Sequence, residues 1–492
     1  MRATKSFSNK KRMAIWGRQA TKVEAGIILL MAGGSAFAEA SLSPDKVEAS
    51  LHPNESIVIE KTVTTPALPP KIDVCLLEDE TGSFGDDINN LKMAAPDIYD
   101  TVFAKSPEAR FAVAGYRDYP INPYGLPGDW VYWLRSPLNS DKTAWTDGVN
   151  SLTAGGGADT PEAQYDAIVA TLNGLDDPTK GLQNPCNFDP NPNVTKVLLV
   201  ATDAPFHIPT GGSDPHVNDL TSTTAALQAA NIKVIGLKAP GAENELDALA
   251  EATGGSVQPI TSDGANIGQA IIAGLQNLPV KVSMTSDCSD PIQTGFEPSE
   301  QEIISGGKIQ FKETIMVANA AMPSPTPVEC KDWALINGEP MKDESGNIVY
   351  EQKSITVLDG RMTGGGSVFA QDGTRVTHGF ELHCASAMQP NNVQINWGKG
   401  NRFKLDTLTF AKCSDTRGIG EEKPIAGLDT LKGQGVGQFN GQPGAMLEFE
   451  FIDSGEPGLN DSAYVKVMDA SGNVVMTAGG ALKNGNHQAH RQ

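Results

Sequence analysis

Between residues 72 and 278, short runs of apolar residues alternate with segments in which apolar residues recur at the 3.6-residue period of a helix. The apolar runs lack the polar positions of a half-exposed strand, which is typical of parallel strands covered on both faces. The predicted strands are 72–78, 110–116, 130–134, 196–202, 232–237 and 256–260. The predicted helices are 86–105, 142–152, 161–172, 220–230, 244–252 and 265–277. The pattern therefore predicts a doubly wound, Rossmann-like α/β domain, in which ligands bind at the carboxyl ends of the strands.

On both sides of this region, apolar and polar residues alternate in short segments that are typical of strands. The flanking segments 39–71 and 279–358 are each too small to bury a core alone, so we expect one β-sandwich into which the α/β domain, 72–278, is inserted. Residues 360–492 contain further alternating segments and predict a C-terminal all-β sandwich or barrel. The predicted fold class is a multidomain protein of one α/β domain and two β domains.

Four histidines of the C-terminal segment raise the question of a transition-metal site; they are His378, His383, His487 and His490. His378 and His383 lie an odd number of residues apart on one predicted strand and so face opposite sides, which favours ordinary structural histidines. The acidic loop 453–462 is interpreted either as a calcium site or as a plain solvated loop.

The first 38 residues differ in composition from the rest of the chain. They combine a basic stretch, the short apolar run AGIILLMA and the small-residue pattern Ala36-Phe37-Ala38, which is typical of a secretory signal peptide. No later run of 18 consecutive apolar residues occurs. We expect an exported bacterial protein, secreted or at the cell surface, without a transmembrane segment.

The charge of the chain restricts the class of partner. The formal net charge is −21, and no basic stripe is present that could neutralise phosphates, which argues against nucleic acid as a partner. Such an acidic chain is instead expected to attract cations.

Six cysteines in an exported chain are expected to form disulfides. Cys75 lies in a very apolar predicted strand and is either a buried free thiol or the partner of Cys186. The preferred pairs, each inside one predicted β-rich module, are Cys288 with Cys330 and Cys384 with Cys413. The sequence does not indicate the oligomeric state.

Acidic residues cluster where predicted strands end and where the loop before a helix returns to the same edge of the sheet. They are Asp79, Asp86, Asp87, Asp118, Asp159, Glu162 and Asp203. Repulsion among so many carboxylates is unfavourable without cations. Carboxylate and hydroxyl oxygens select hard ions such as Mg²⁺, Ca²⁺ or Mn²⁺. No His or Cys accompanies these residues, so zinc is not expected.

The spacing Asp79-x-Thr81-x-Ser83, with Asp203 in T-D-A, resembles the metal-ion-dependent adhesion site of von Willebrand factor A domains. Asp86-Asp87, Asp118-Tyr-Pro and Asp159-Thr-Pro161-Glu162 resemble the integrin β-subunit version, which carries three adjacent cations. The resemblance implies a central Mg²⁺ or Mn²⁺ surrounded by Asp79, Thr81, Ser83, Glu162 and Asp203. It implies Ca²⁺ at two neighbouring sites, one held by Asp86, Asp87 and the Ser83 backbone, the other by Asp118, Asp159, Glu162 and the carbonyls of Gly157 and Pro161. The nesting inside a sandwich likewise resembles the integrin β hybrid domain.

The chain departs from the integrin pattern at three positions. Gly157 stands where that pattern has Asn, so one side-chain ligand of the third site is lost. Glu78 occupies a usually apolar strand position and is expected either to pair with Arg117 or to be an extra acid behind the metal ligands. Pro96 falls inside the first helix and is expected to kink or break it.

The favoured function is metal-dependent adhesion or protein binding. Thr81 and Ser83 are neutral ligands, so a central ion keeps positive charge and an open position that an exposed Asp or Glu of a partner protein completes. Aromatic residues of segment 119–140 are expected either as exposed anchors beside this position or as residues buried by strand 130–134; they are Tyr119, Tyr124, Trp130, Tyr132 and Trp133. An alternative is a structural surface or matrix protein in which the metals only stabilise the fold.

A further alternative is a Mg²⁺-dependent hydrolase. Against it, the chain has no nucleophile elbow, no Ser-His-Asp candidate set and no Gly-rich phosphate loop followed by Lys. His207 is the only histidine near the predicted metal ligands that could act as a base. We therefore expect that the protein is not an enzyme.

Overall fold

The computed structural model describes residues 39–416, 419, 427–458 and 460–490. The predicted signal peptide, 1–38, lies outside the described residues. Among the described helices, none combines the length and the apolar character needed to cross a membrane.

The described chain begins with three strands and then enters the α/β region. The three strands are β1 (Ser41–Ser43), β2 (Lys46–Leu51) and β3 (Ser56–Thr64). The α/β region contains β4 (Ile72–Asp79), α1 (Gly85–Lys105), β5 (Arg110–Tyr116), β6 (Trp133–Asn139), α2 (Lys142–Asn150), α3 (Gln164–Asn173), β7 (Leu175–Asp177), β8 (Gly181–Gln183), β9 (Thr195–Thr202), α4 (Leu220–Ala229), β10 (Ile232–Lys238), α5 (Glu245–Thr253), β11 (Ser256–Pro259) and α6 (Ile267–Gln276).

Six of these strands form one sheet in the order β11-β10-β9-β4-β5-β6. All neighbours in it are parallel except β6, which runs antiparallel at one edge. Every residue of β4 and β9 is buried, as the continuous apolar runs predict. Leu76 packs in the core beneath α1 and α6, and Leu77 packs in the core beneath α3 and α5. Helices therefore cover both faces, and the strands end at a common edge.

Two local predictions differ from the structure. The predicted strand 130–134 is displaced, because the edge strand begins only at Trp133 and continues through Pro137 to Asn139. Proline is tolerated there because one side of an edge strand has no ladder partner for a backbone N–H. The predicted break at Pro96 does not occur, since α1 is continuous from Gly85 to Lys105.

The chain after the α/β region returns to the first three strands. The new strands are β12 (Pro279–Ser286), β13 (Ile292–Glu297), β14 (Glu300–Ile304), β15 (Lys308–Val317), β16 (Val328–Ile336), β17 (Glu339–Pro340) and β18 (Tyr350–Val357). They form two sheets, β1-β3-β15-β13 and β14-β12-β16-β18-β2, with β17 paired to β16. Both sheets thus contain strands from each side of the α/β region, and β3 pairs with β15 from Ser56–Met316 to Thr64–Lys308.

Charged side chains are buried between these two sheets. Lys61 contacts Glu313, Asp332 and Glu351, and Lys353 contacts the first two of these carboxylates. All five side chains have no exposed surface. Lys61 Nζ lies 2.9 Å from Glu313 Oε2. Three carboxylates therefore share two ammonium groups in a region that is otherwise apolar.

The α/β region meets the sandwich at the amino end of its sheet. Asn337, directly after β16, donates a hydrogen bond from Nδ2 to Oγ1 of Thr195, the first residue of β9, at 2.9 Å. Lys71, which precedes β4, pairs with Glu339 at 3.0 Å. The carboxyl ends of the strands consequently face away from the sandwich.

The remaining described strands form a single antiparallel sheet. They are β19 (Arg361–Phe369), β20 (Arg375–His383), β21 (Asn392–Trp397), β22 (Asn401–Ser414), β23 (Thr430–Phe439), β24 (Gln442–Ile452), β25 (Ser462–Met468), β26 (Val474–Ala481) and β27 (Asn484–His490). The order is β26-β25-β24-β23-β22-β21-β20-β19-β27. A bridge from Ala370, just after β19, to Ala478 in β26 connects the two ends of the sheet, so it curls around one core.

Two histidines of this sheet, His378 and His487, are buried and contact each other. His378 Nε2 lies 2.8 Å from His487 Nε2, and burial lowers the pKa of His378 to about 3. His487 Nδ1 lies 3.0 Å from the carbonyl oxygen of Ile452. In the acidic loop, Asp461 accepts hydrogen bonds from the backbone N–H groups of Ser454 and His487, so its carboxylate fastens the loop to β27.

All six cysteines are paired in the structure. Cys75 is joined to Cys186, so the alternative of a free thiol at Cys75 is wrong. The two preferred pairs, Cys288 with Cys330 and Cys384 with Cys413, are the other two disulfides.

Candidate metal centre

Asp79, the last residue of β4, is held in place from both sides of its carboxylate. Its Oδ1 accepts hydrogen bonds from the backbone N–H and the hydroxyl of Thr81, at 2.9 and 2.7 Å. Its Oδ2 accepts from Tyr116 and from Thr202, each at 3.0 Å. Both donors of the second pair stand at the ends of the strands that flank β4, so the sheet itself orients this carboxylate.

A short 3₁₀ turn, Gly82–Phe84, places the next two predicted ligands. The Phe84 side chain is completely buried and anchors the turn in the core. Ser83 Oγ lies 3.4 Å from Thr81 Oγ1 and donates to Asp203 Oδ1 at 3.1 Å. Thr81 and Ser83 each donate their single hydroxyl hydrogen to a carboxylate, Asp79 and Asp203, so the four side chains form one row of adjacent oxygens. In this row Ser83 is exposed to solvent, and Asp79 and Thr81 are buried.

Glu162 lies against the same group of residues. Its backbone N–H donates to Pro205 O at 3.1 Å, and its carbonyl accepts from His207 N at 2.9 Å, so the segment before α3 is fastened to the loop after β9. Gly157 has a φ of +71°, and a Cβ added there lies 2.8 Å from Glu162 Oε1 and 3.4 Å from Thr81 Cβ. Glycine thus allows the loop to approach both ligands, and a side chain here would displace the end of the Glu162 side chain.

Three further carboxylates at this edge of the sheet have unsatisfied buried oxygens. Asp118 Oδ2, Asp159 Oδ1 and Glu162 Oε2 are buried and have no hydrogen-bond partner among the described residues. Burial, followed by the charges of Asp79 and Asp118, raises the pKa of Glu162 to about 10. Burial, then Asp118, also raises the pKa of Asp159. Pro161, whose carbonyl is a predicted ligand, is half-buried directly before Glu162.

The beginning of α1 carries the predicted ligands Asp86 and Asp87 of one neighbouring site. Asp87 is buried with its Oδ1 unpaired, whereas Asp86 is exposed. Burial, followed by Asp203, Asp86 and Asp263, raises the pKa of Asp87 to about 7. Gly264 brings its loop so close that an added Cβ lies 2.6 Å from the Asp87 Cα. Asp263, which sequence analysis missed, was detectable because it follows the short strand β11 at the same edge of the sheet.

The donor set of this edge fits a divalent cation. Carboxylates and hydroxyls meet at this edge of the sheet, and four of the carboxylates keep a buried oxygen without a partner. Within the part of the chain that the structure describes, no Lys or Arg forms an ion pair with any of those four. Buried unpaired carboxylates are costly, and a hard cation that binds them removes this cost. We name this group the acidic rim; its members are Asp79, Thr81, Ser83, Asp86, Asp87, Asp118, Asp159, Glu162 and Asp203.

Glu78 is a further buried acid, and one of the two expectations for it is wrong. Arg117 pairs with Asp129 at 3.2 Å and donates to Thr153 O at 2.9 Å instead of pairing with Glu78. Both Glu78 oxygens are buried without a hydrogen-bond partner. Burial, followed by Asp87 and Asp79, raises the pKa of Glu78 well above its ordinary value. The position therefore keeps a carboxyl group immediately behind the acidic rim.

The expectation that no histidine accompanies the acidic residues is also wrong. His216 Nε2 lies 2.9 Å from Asp118 Oδ1, and its Nδ1 lies 2.8 Å from Asp214 Oδ1. His207 Nε2 lies 3.3 Å from Asp214 Oδ2, and its ring stacks on that of His216 with centroids 3.7 Å apart. His216 was missed because it lies in the irregular segment between β9 and α4, where no period relates it to the strand ends.

The aromatic residues beside the acidic rim are largely buried. Trp130 is 5% exposed, and Arg117 Cζ lies 3.8 Å from its ring centroid. Trp133 is half-buried beneath Arg135, with Cζ 3.3 Å from the ring centroid. The expectation of buried residues therefore holds for Trp130, and the exposed apolar residues of this segment are Ile121 and Leu126.

Comparisons with known proteins add little to this description. Models of known protein families give no match, and curated proteins give none either. Among solved structures, the chain is similar to one described as von Willebrand factor type A from Catenulispora acidiphila, with 14% sequence identity and a TM-score of 0.34. The similarity covers 66% of this chain and 76% of that chain. A TM-score this low carries no argument, so the interpretation depends on the strand order and the acidic rim.

Proposed function

We propose that this chain is an exported von Willebrand factor A protein of the integrin β-subunit-like type, which binds a partner protein through a divalent cation. The observation that carries the proposal is the row of adjacent oxygens that runs from Asp79 through Thr81 and Ser83 to Asp203. Its buried end is oriented by the sheet, and its exposed end at Ser83 faces solvent.

The mechanism follows from the charges of these groups. Thr81 and Ser83 would be neutral metal ligands, so a divalent ion bound to them keeps net positive charge. A hard cation takes oxygen ligands and exchanges water for carboxylate. An exposed Asp or Glu of a partner would complete the coordination on the solvent side, at the exposed Ser83.

The assignment of ions follows the same reasoning. The central group includes two neutral hydroxyls, Thr81 and Ser83, and suits Mg²⁺ or Mn²⁺, which keep several waters in a strict octahedral geometry. The groups around Asp87 and around Asp118 would combine carboxylates with backbone carbonyls and suit Ca²⁺, which takes six to eight oxygen ligands of both kinds.

A structural role for the metals is the second candidate. The unpaired oxygens of Asp118, Asp159 and Glu162 are buried, so an ion there would be enclosed and would mainly stabilise the fold. The hydrolase alternative has less support, because His207 Nε2 faces Asp214 and its ring is stacked on His216. The proposed function therefore includes no catalytic activity.

The decisive experiment is calorimetric titration of Mg²⁺, Ca²⁺ and Mn²⁺ into metal-stripped full chain, followed by binding of short peptides that carry an exposed Asp or Glu. Asp79→Ala is expected to abolish central cation binding and peptide binding together. Asp372→Ala, at an exposed acidic turn far along the chain, is the matched control and is expected to change neither. Cation binding without peptide binding would favour the structural role, and absence of cation binding would refute the proposal.

A further inference from the structure

We propose that Lys353 and Asp332 condense to an intramolecular amide that joins strands β18 and β16 of the sandwich. The reaction links Nζ of the lysine to Cγ of the aspartate and releases one water. Both residues belong to the buried charge cluster between the two sheets, whose members are Lys61, Glu313, Asp332, Glu351 and Lys353. The ion pairs described above are those of the chain before the amide forms.

The two side chains lie on neighbouring antiparallel strands and on the same face of their sheet. Asp332 is directly opposite Glu351, and Lys353 lies two residues farther along β18, diagonal to Asp332. Side chains in this diagonal relationship are within reach of each other when one of them is long. Lys353 Nζ contacts Asp332 Oδ2. The amide therefore requires no change in the register of the two strands.

Lys353 is the ammonium group that the buried charge cluster satisfies least. Lys61 Nζ donates a hydrogen bond to Glu351 Oε2 and lies 2.9 Å from Glu313 Oε2. Lys353 Nζ contacts one oxygen of Glu313 and one of Asp332, but it makes no hydrogen bond to any described residue. Both Asp332 oxygens also lack a hydrogen-bond donor among the described residues.

An amide between these two residues removes the least favourable charges of the cluster. Buried charges are costly unless they are both paired and hydrogen-bonded. Condensation reduces the buried charged groups from five to three, namely Lys61, Glu313 and Glu351. Lys61 keeps its contacts with Glu313 and Glu351, so the remaining carboxylates stay paired.

Glu313 is placed to carry the proton that the reaction must move. It lies on β15 in the facing sheet, where its Oε1 contacts Lys353 Nζ. Burial, followed by the charge of Asp332, raises the pKa of Glu313, so this carboxylate takes up a proton more readily than a solvated one. In the proposed reaction, Glu313 takes a proton from the Lys353 ammonium group and passes it to Asp332.

The steps balance without an oxidant, a reductant or a further reactant. The first proton transfer leaves a neutral amine on Lys353 and a neutral carboxylic acid on Asp332. The amine nitrogen attacks Cγ, one of its two remaining protons moves to the hydroxyl group, and that group leaves as water. Two reactants held in contact react as one molecule, which removes the entropic cost of bringing them together.

The test is the mass of the unmutated full chain, purified in the folded state and then denatured with its disulfides reduced. We expect a mass lower by one water than the mass calculated from the sequence and the measured N-terminus. Trypsin is expected not to cleave after Lys353, and the amide is expected to join peptide 332–342 to peptide 343–361. Fragmentation of the joined peptides is expected to place the bond between Lys353 and Asp332.

Three results with the unmutated chain would overturn the proposal. The first is the full calculated mass, which indicates a permanent ion cluster. The second is a bond from Lys353 to Glu313 instead of Asp332. The third is a water lost only as a cyclic imide at an Asp-Gly pair such as Asp359-Gly360, which leaves the tryptic peptides unjoined.

Variants test the role of each group. Lys353→Met and Asp332→Ala are expected to have the full calculated mass, and Glu313→Gln is expected to form the amide far more slowly. Lys331→Met, which removes an exposed lysine next to Asp332 on β16, is the matched control and is expected to keep the loss of one water. Rapid amide formation in Glu313→Gln would overturn the role of Glu313. Because the readout is covalent, a failure of cation or acidic-peptide binding leaves it unaffected.

Discussion

Tyr116 donates a hydrogen bond from its phenolic oxygen to Asp79 Oδ2, with the two oxygens 3.0 Å apart. Tyr116 ends β5 and Asp79 ends β4, so the bond joins the ends of two neighbouring parallel strands. Neither residue is exposed. The tyrosine therefore fixes the carboxylate from the side opposite Thr81, although it cannot itself reach an ion on the solvent side.

Tyr116→Phe is expected to weaken Mg²⁺ binding about 10- to 100-fold, because supporting partners of a metal ligand contribute that much to affinity. Calorimetric titration of Mg²⁺ into the stripped protein measures the change. Tyr464→Phe, at a tyrosine that is 39% exposed on β25, is the control. Equal affinity in the two variants would show that Thr202 and Thr81 alone orient Asp79.

The acidic rim predicts that metal-free protein becomes less stable as the pH rises. The pKa of Glu162 is raised from 4.5 to about 10 and that of Asp87 from 3.8 to about 7, in both cases mainly by burial. Groups with a raised pKa bind their protons more tightly in the folded state. Their contribution to stability is full below the unfolded pKa and is lost as the pH rises through the folded pKa. In EDTA, the Tm is therefore expected to be lower at pH 8 than at pH 5.

Ca²⁺ and Mg²⁺ are expected to reverse this dependence, because they bind the ionised carboxylates and stabilise the folded state by mass action. Glu162→Gln in EDTA is expected to flatten the decline, whereas the control Glu243→Gln, at an exposed position, is expected to keep it. A stripped protein whose Tm rises between pH 5 and pH 8 would contradict the electrostatic description of the rim.

Gly157→Ala is expected to destabilise the chain more than Gly128→Ala does. Both glycines have a positive φ, +71° and +104°, so both substitutions carry backbone strain of about 1–3 kcal/mol. A Cβ at 128 meets nothing within 4 Å, whereas a Cβ at 157 lies 2.8 Å from Glu162 Oε1. Thermal unfolding compares the stability of the two variants. Calorimetric titration with Ca²⁺ is expected to show a loss of Ca²⁺ affinity only for Gly157→Ala. An equal effect on both measurements would place Glu162 out of reach of Gly157.

Lys61→Met is expected to lower the free energy of unfolding by about 3–5 kcal/mol, because removal of one partner leaves buried charges uncompensated. Glu351 would then lose its ion pair with Lys61, and Glu313 and Asp332 would share the single ammonium of Lys353. Lys46→Met is the matched control, since its pair with Glu48 is mostly exposed. Urea denaturation measures both, and a loss below 1 kcal/mol for Lys61→Met would indicate that the cluster relaxes or takes up a proton.

The periodic elements were predictable from the sequence, and the irregular ones were not. The continuous apolar run 196–202 and the helical period of 86–105 correspond to β9 and α1 within one residue. The run 130–134 was misleading because Val131 and Tyr132 are buried without belonging to a strand. Their backbone N–H groups donate to the Asp177 side chain instead of to a neighbouring strand. Burial alone produces an apolar run, whatever the backbone partner.

The same distinction applies to the site. The rule that parallel strands end at one edge was sufficient to bring Asp79, Asp118 and Asp203 together in prediction. It gives no information on irregular segments. In these segments Arg117 forms an ion pair with Asp129 and not with Glu78, and His216 contacts Asp118. Side-chain partners that come from such segments depend on loop conformation, which no period in the sequence reports.

The insertion of the α/β region into the sandwich has a mechanical consequence. Its two covalent tethers, before Ile72 and after Gln276, both leave from the end of the sheet opposite the acidic rim. A pulling force applied at the rim is therefore divided between two chain segments instead of one. It enters the sandwich through β3 and β12, which are held by hydrogen bonds to β15 and β16 respectively.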